Sequence, residues 1–146
     1  MATTTIRWTV AKYLLDQLRQ HNLLGGVLIA PGWPGDNVRP ETIWIDELRG
    51  DVSIPVLKAG RMYRDDKFEI PLAVRVTSKG DVDLTMTRLL EIVSAIEDVL
   101  ADAADLNGFD GLISIEVTSE STTAIDSRDG YYGFGEVVVS AHARLT

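Results

Sequence analysis

Two stretches of the chain repeat apolar residues every three or four positions, and much of the remainder alternates every second position. The first helical stretch runs from about Ile6 to Asn22. Trp8, Ala11, Leu14, Leu15 and Leu18 fall on one side, and Lys12, Asp16, Gln17, Arg19 and Gln20 mostly on the other, the spacing of an amphipathic helix. Thr5 is the expected N-cap, and Gly25-Gly26 stops any continuation past Leu24. The second helix is expected from Leu84 to about Leu106, capped by Asp83 and closed by Asn107-Gly108. Its apolar stripe is Met86, Leu89, Leu90, Val93, Ile96, Val99, Leu100 and Ala103, with Glu91, Glu97, Asp98 and Asp102 opposite.

The strands are shorter signals. Val27 to Ala30 is an apolar run between Gly26 and Pro31, followed by the turn-forming Pro31-Gly32-Trp33-Pro34-Gly35. Thr42 to Leu48 alternates. Ser53 to Leu57 is a further short strand, and Pro55 places it at an edge. Residues 58–67 carry Lys58, Arg61, Arg64, Asp65, Asp66 and Lys67 and read as an exposed loop. Phe68 to Val76 then alternates cleanly, with Phe68, Ile70, Leu72, Val74 and Val76 on one face. Two strands finish the chain, Leu112 to Thr118 and Val137 to Leu145. The polar, Gly-containing segment 119–135 between them reads as a second exposed, mobile loop. The order α-β-β-(β)-β-α-β-β has no regular βα alternation. It predicts one α+β domain over 1–146: a mostly antiparallel sheet of about five to six strands, with two helices packed on one face.

At 146 residues the chain has the length of one domain. It has no cysteine, which removes disulfides, thiolate metal sites and cysteine nucleophiles. The polar, uncharged Met1-Ala2-Thr3-Thr4-Thr5 is not a secretory signal. No apolar run approaches the roughly 18 residues that span a bilayer, so no membrane partner is expected. With 22 acidic and 14 basic residues, the net charge of −8 opposes tight DNA wrapping. The same charge suits either simple solubility or the wall of a channel that DNA crosses without sticking.

No catalytic pattern emerges. His21 and His142 stand alone, with no HExxH, no GxSxG elbow and no Walker lysine. The acidic groups Asp46-Glu47 and Asp65-Asp66 with Glu69 do not converge by default, because in-strand neighbours point to opposite faces. Tyr131-Tyr132-Gly133-Phe134-Gly135 lacks the strand–loop–helix setting of a phosphate cradle, and reads instead as an aromatic contact patch. Trp33 either is exposed or caps the end of the core. No metal or cofactor is expected, and no enzymatic activity.

The layout resembles the tail terminator (tail completion) proteins of long-tailed bacteriophages, the lambda gpU-like group. The resemblance rests on the amphipathic stretch Trp8 to Leu18 ahead of an apolar strand, and on the charged segment 58–67 leading into Phe68 to Val76. The run Thr87-Arg88-Leu89-Leu90-Glu91-Ile92-Val93 and two closing strands complete it. It implies a virion protein of a siphovirus, assembled in the host cytoplasm, forming a usually hexameric ring at the head-proximal end of the tail. Such a ring ends tube polymerisation and joins tail to head. Its implied partners are further copies of itself, the tail tube protein, head–tail connector or neck proteins, and double-stranded DNA passing through the lumen without specific binding. Candidate interface residues, chosen by loop position, are Arg61, Tyr63, Arg64, Asp65, Asp66, Arg128, Tyr131, Tyr132 and Phe134. Other readings are a different neck or head–tail joining protein, a cytosolic adaptor, or a small ligand-binding or hydrolytic domain using Asp65, Asp66 or Glu69 with Trp33.

Overall fold

The computed structural model describes residues 6–37, 39–58, 61–78, 81–102, 109, 111–127 and 130–145. The elements are α1 (Arg7–Gln20), β1 (Leu28–Ala30), β2 (Glu41–Ile45), β3 (Arg49–Lys58), β4 (Arg61–Ser78), α2 (Val82–Ala101), β5 (Leu112–Ser127) and β6 (Gly130–Leu145). Short 3-10 turns occupy Asn22–Leu24 and Gly35–Asn37. The strands form one sheet in the order β1-β2-β4-β6-β5, with β3 also paired to β4. Every pairing is antiparallel except β1 with β2. This is the expected α+β architecture. The expected N-cap Thr5, the stripe residue Ala103 and the closing Asn107-Gly108 lie outside the described residues.

Both helices bury their apolar sides against the same sheet face. Val10, Ala11, Leu14, Leu15 and Leu18 of α1 join Leu89, Ile92, Val93, Ala95 and Ile96 of α2 in one cluster. Beneath them lie Phe68, Ile70, Leu72, Val74 and Val76 of β4 and Val137, Val139, Ala141 and Ala143 of β6, the two alternating faces expected from period two. Each stripe needs a correction: Trp8 of α1 and Leu90 of α2 are half exposed, and Val10 and Ile92 are fully buried in their place. Helix α2 also begins earlier than expected. Asp81, not Asp83, is the N-cap, accepting from Asp83 N at 2.8 Å and Leu84 N at 3.3 Å. Asp83 instead occupies the first turn, where the helix dipole favours an acid.

The two expected loops are largely strand. Residues 61–67 belong to β4, pair with β3 on one side and reach β6 on the other from Arg64 onward. The two acids among them conceal the pattern, because each is answered by an arginine. Asp66 points to the helix face, fully buried, and accepts two hydrogen bonds from Arg7 Nε at 3.1 Å. Asp65 points to the opposite face and is paired with Arg144. Pro55 falls within the β3–β4 register shift between Ser53 and Val56, the position at which a strand tolerates proline.

Residues 119–127 and 130–135 likewise form a long β5–β6 hairpin. The glycines explain why this segment is strand and not flexible tip. A side chain at Gly133 would press on Thr85 at 3.1 Å and Leu89 at 3.3 Å, and one at Gly135 on Leu89 at 3.1 Å. Thus α2 rests directly on the backbone there. The intervening Tyr132 and Phe134 face away from the helices, stacked at 6.4 Å.

Candidate functional site

The sheet face opposite the helices has no covering layer among the described residues, and its two ends differ chemically. At the β1–β2 end the aromatic residues gather. Because β1 and β2 are parallel neighbours, residues 31–40 must cross over between them. That crossover lays Trp33 edge-on against Trp44 of β2, with ring centroids 4.8 Å apart. Trp33 remains 54% exposed, so it is a surface residue and not a cap on the core. The Arg75 guanidinium of β4 lies 6.0 Å from the Trp33 ring and 5.1 Å from the Tyr132 ring. Its Nε is buried with no hydrogen-bond partner. Beside it a hollow of about 300 Å³ is lined by Pro40, Thr77, Ser78, Tyr131 and Tyr132. Ile125 of β5, opposite Tyr132 in the ladder, is 48% exposed and continues the apolar surface to the sheet edge.

The other end is polar. Arg144 donates to Asp65 from Nε at 2.8 Å and from Nη2 at 3.3 Å. These bonds hold the Asp65 carboxyl below the ordinary carboxylate range against the opposing effect of burial, helped by the charges of Arg144 and His142. His142 Nε2 lies 3.5 Å from Asp65 Oδ2 but makes no hydrogen bond. Arg49 pairs with Glu69 across β3–β4 at 3.2 Å, and Thr118 with Ser140 across β5–β6 at 2.7 Å. A shallow groove of about 280 Å³ runs past Lys67, Glu69, Ser140 and His142.

The geometry separates residues that the ligand-binding or hydrolytic reading grouped together. Asp66 is on the helix face, whereas Asp65 and Glu69 are on the open face, each held by its own arginine. Trp33 sits over Trp44, whose ladder partner is Ala73. Eight strand residues separate Ala73 from Asp65, about 26 Å at the usual rise. No group of three or more His, Asp or Glu side chains suited to a metal occurs among the described residues. Nor is any described helix long and apolar enough to cross a membrane.

The candidate interface residues are distributed over both faces. Register places Arg61 opposite Lys58 and Tyr63 opposite Val56 near the end of the β3–β4 hairpin. Arg64 lies opposite Leu145. Asp65 and Asp66 are buried and paired within the chain, not displayed as loop residues. Tyr132 and Phe134 are partly exposed on the open face, Tyr131 lines the hollow beside Arg75, and Arg128 lies outside the described residues. Arg75 and Trp44, the centre of the aromatic cluster, gave no sequence signal of their own, because only the crossover and the β4–β6 register bring them together.

On the helix side, a wide cleft between the end of α2 and β5 contains Glu97 and Glu120. A hydrogen bond from Glu97 chiefly, then burial and the Glu97 charge, raise the Glu120 pKa above the ordinary 4.5. A raised carboxyl adds stability below its unfolded value and loses it as pH rises through its folded value. At neutral pH the pair is therefore a net repulsion. Glu120→Gln is expected to raise the thermal midpoint at pH 7, and the gain should disappear below about pH 4.5, as calorimetry across that range will report. A gain that persists undiminished into acid would show that the two carboxyls do not interact.

No protein-family model matches the chain, and no curated protein sequence matches it. Among solved structures, a chain from one described as a virion of a native gene transfer agent (GTA) particle is similar in fold. The TM-score is 0.62 over 90% of this chain and 91% of that one, at 15% sequence identity. A likeness at that identity defines a shared fold, spanning nearly the full length of both chains.

Proposed function

We propose that this protein is a structural component of a phage-like virion, and that its place is a ring at the head-proximal end of the tail, where it ends tube polymerisation and joins tail to head. The observation that carries the virion role is the end-to-end fold likeness to a component of the gene transfer agent particle. The finer placement rests on the resemblance of the chain's layout to tail terminator proteins. The charge of −8 suits a lumen that DNA crosses without adhering. The long edge strand β5 and the aromatic open face offer two different surfaces on one protomer. A head-to-tail contact needs two such surfaces if it is to close into a ring.

Light scattering and negative-stain microscopy of the purified protein test this reading, alone and mixed with tail tubes. The expected particle is a ring of about six times the 16.0 kDa protomer mass, either free or seated on tube ends. A protein that stays monomeric at every concentration and leaves tube ends bare would overturn it.

A further inference from the structure

The open face holds one cation in an environment that calls for an anion. Arg75 makes no ion pair among the described residues, and its buried Nε has no hydrogen-bond partner. The Trp33 and Tyr132 rings flank the guanidinium, and the hollow beside it is open. Hydroxyls of Thr77, Ser78 and Tyr131 line that hollow, and among its described lining residues there is no carboxylate. A half-buried guanidinium between aromatic faces binds a carboxylate by paired, charge-assisted hydrogen bonds. Tryptophan, tyrosine and arginine are also the residues that dominate protein interfaces.

The complementary surface is the β5 edge of the same sheet. Strand β5 is outermost. Its sequence contains Glu116, Glu120 and Asp126 and no lysine or arginine. Register shifts at 112/114 and 117/119 kink its first half, a device that discourages edge pairing. From Ser119 onward the ladder with β6 is regular, and residues 119–126 are all exposed. This flat half carries Glu120, Ile125 and Asp126.

We propose that the Arg75 hollow of one copy receives the Asp126 carboxylate from the β5 edge of a second copy, with the adjacent Ile125 packing on the exposed tryptophan. The inference rests on the ring reading and names the contact that closes the ring. The hollow beside Arg75 of the inner strand β4 and the outermost strand β5 are different patches of one copy, so each copy uses one of each, and the interface is heterologous.

The test measures assembly of the full chain by analytical ultracentrifugation, with circular dichroism reporting the fold. Arg75→Glu is expected to raise the concentration for half-assembly roughly tenfold or more while leaving the monomer folded. Combining Arg75→Glu with Asp126→Lys should restore assembly. Should Arg75→Glu fail to fold, Trp33→Ser gives the readout, since that side chain is mostly exposed, and it is expected to weaken assembly in the same direction. If the native protein forms rings and these variants assemble equally well, the inference fails and the ring reading stands. If assembly is lost but the charge reversal does not restore it, the β5 edge is not the donor and the inference fails. A native protein that never self-associates overturns both.

Discussion

Val93→Asp is expected to unfold the domain, and Leu90→Asp, three residues earlier on the same helix, to leave it folded. Val93 is 3% exposed within the joint core of α1, α2 and the sheet, whereas Leu90 is 50% exposed. An unpaired carboxylate at the first position costs several kcal/mol, comparable to the roughly 5–15 kcal/mol that holds a domain together. At the second position it remains in water, and a cost of about 1 kcal/mol or less is expected. Urea titration followed by circular dichroism distinguishes the two outcomes. A Leu90→Asp protein as unfolded as Val93→Asp would mean that the buried side of α2 is misassigned.

The second large effect concerns the buried carboxylate that pins α1 to the sheet. Asp66 is fully buried on the helix face of β4, and Arg7 Nε bonds both of its oxygens. The Arg7 side chain is partly exposed and also lies 6.0 Å from the Phe68 ring. Removing the arginine leaves the buried charge without its main counter-charge, and such a change costs more than the intact pair contributes. Arg7→Met is expected to lower the unfolding free energy by roughly 3 kcal/mol. The double variant Arg7→Met/Asp66→Leu should recover much of that loss, because no buried charge is then stranded. Equilibrium unfolding of the two singles and the double gives the coupling directly. An Arg7→Met protein of native stability would mean that other groups carry the neutralisation of Asp66.

Both predictions bear on the proposed role. In the proposed ring, one sheet face and one edge would meet neighbouring copies, and these would have to keep a fixed geometry. The Arg7–Asp66 pair and the α2 core hold the helices on the other face, leaving the Trp33–Arg75–Tyr132 surface uncovered. The Arg88 link from α2 to Glu41 and to the Leu23 carbonyl, the latter at 2.8 Å, fixes the β2 side of the same sheet. The crossover bearing Trp33 starts from β1 beside it, so the position of the aromatic cluster depends on how α2 is seated.

What the amino-acid pattern determined by itself was the part governed by local periodicity. The α1 stripe from Ala11 to Leu18, the alternation from Phe68 to Val76 and the alternation from Val137 to Ala143 each follow from side-chain burial on one face, and the fold class followed from their order. Charge and glycine concealed the rest. Segment 61–67 looked like loop because Asp65 and Asp66 are acidic, yet each is neutralised by an arginine distant in sequence, Arg144 and Arg7. Segment 130–135 looked like loop because of its glycines, yet these alternate with aromatics at period two, and Leu89 occupies the space their missing side chains leave. In α2, helical spacing admitted both Leu90 and Val93, and only the direction from which α1 and the sheet approach decided between them. The aromatic–arginine surface is wholly tertiary. A parallel β1–β2 pair forces a crossover, the crossover carries Trp33 onto Trp44, and the β4–β6 register sets Arg75 beside Tyr132. Local propensity cannot encode such a meeting, because its members become neighbours only after the sheet has assembled.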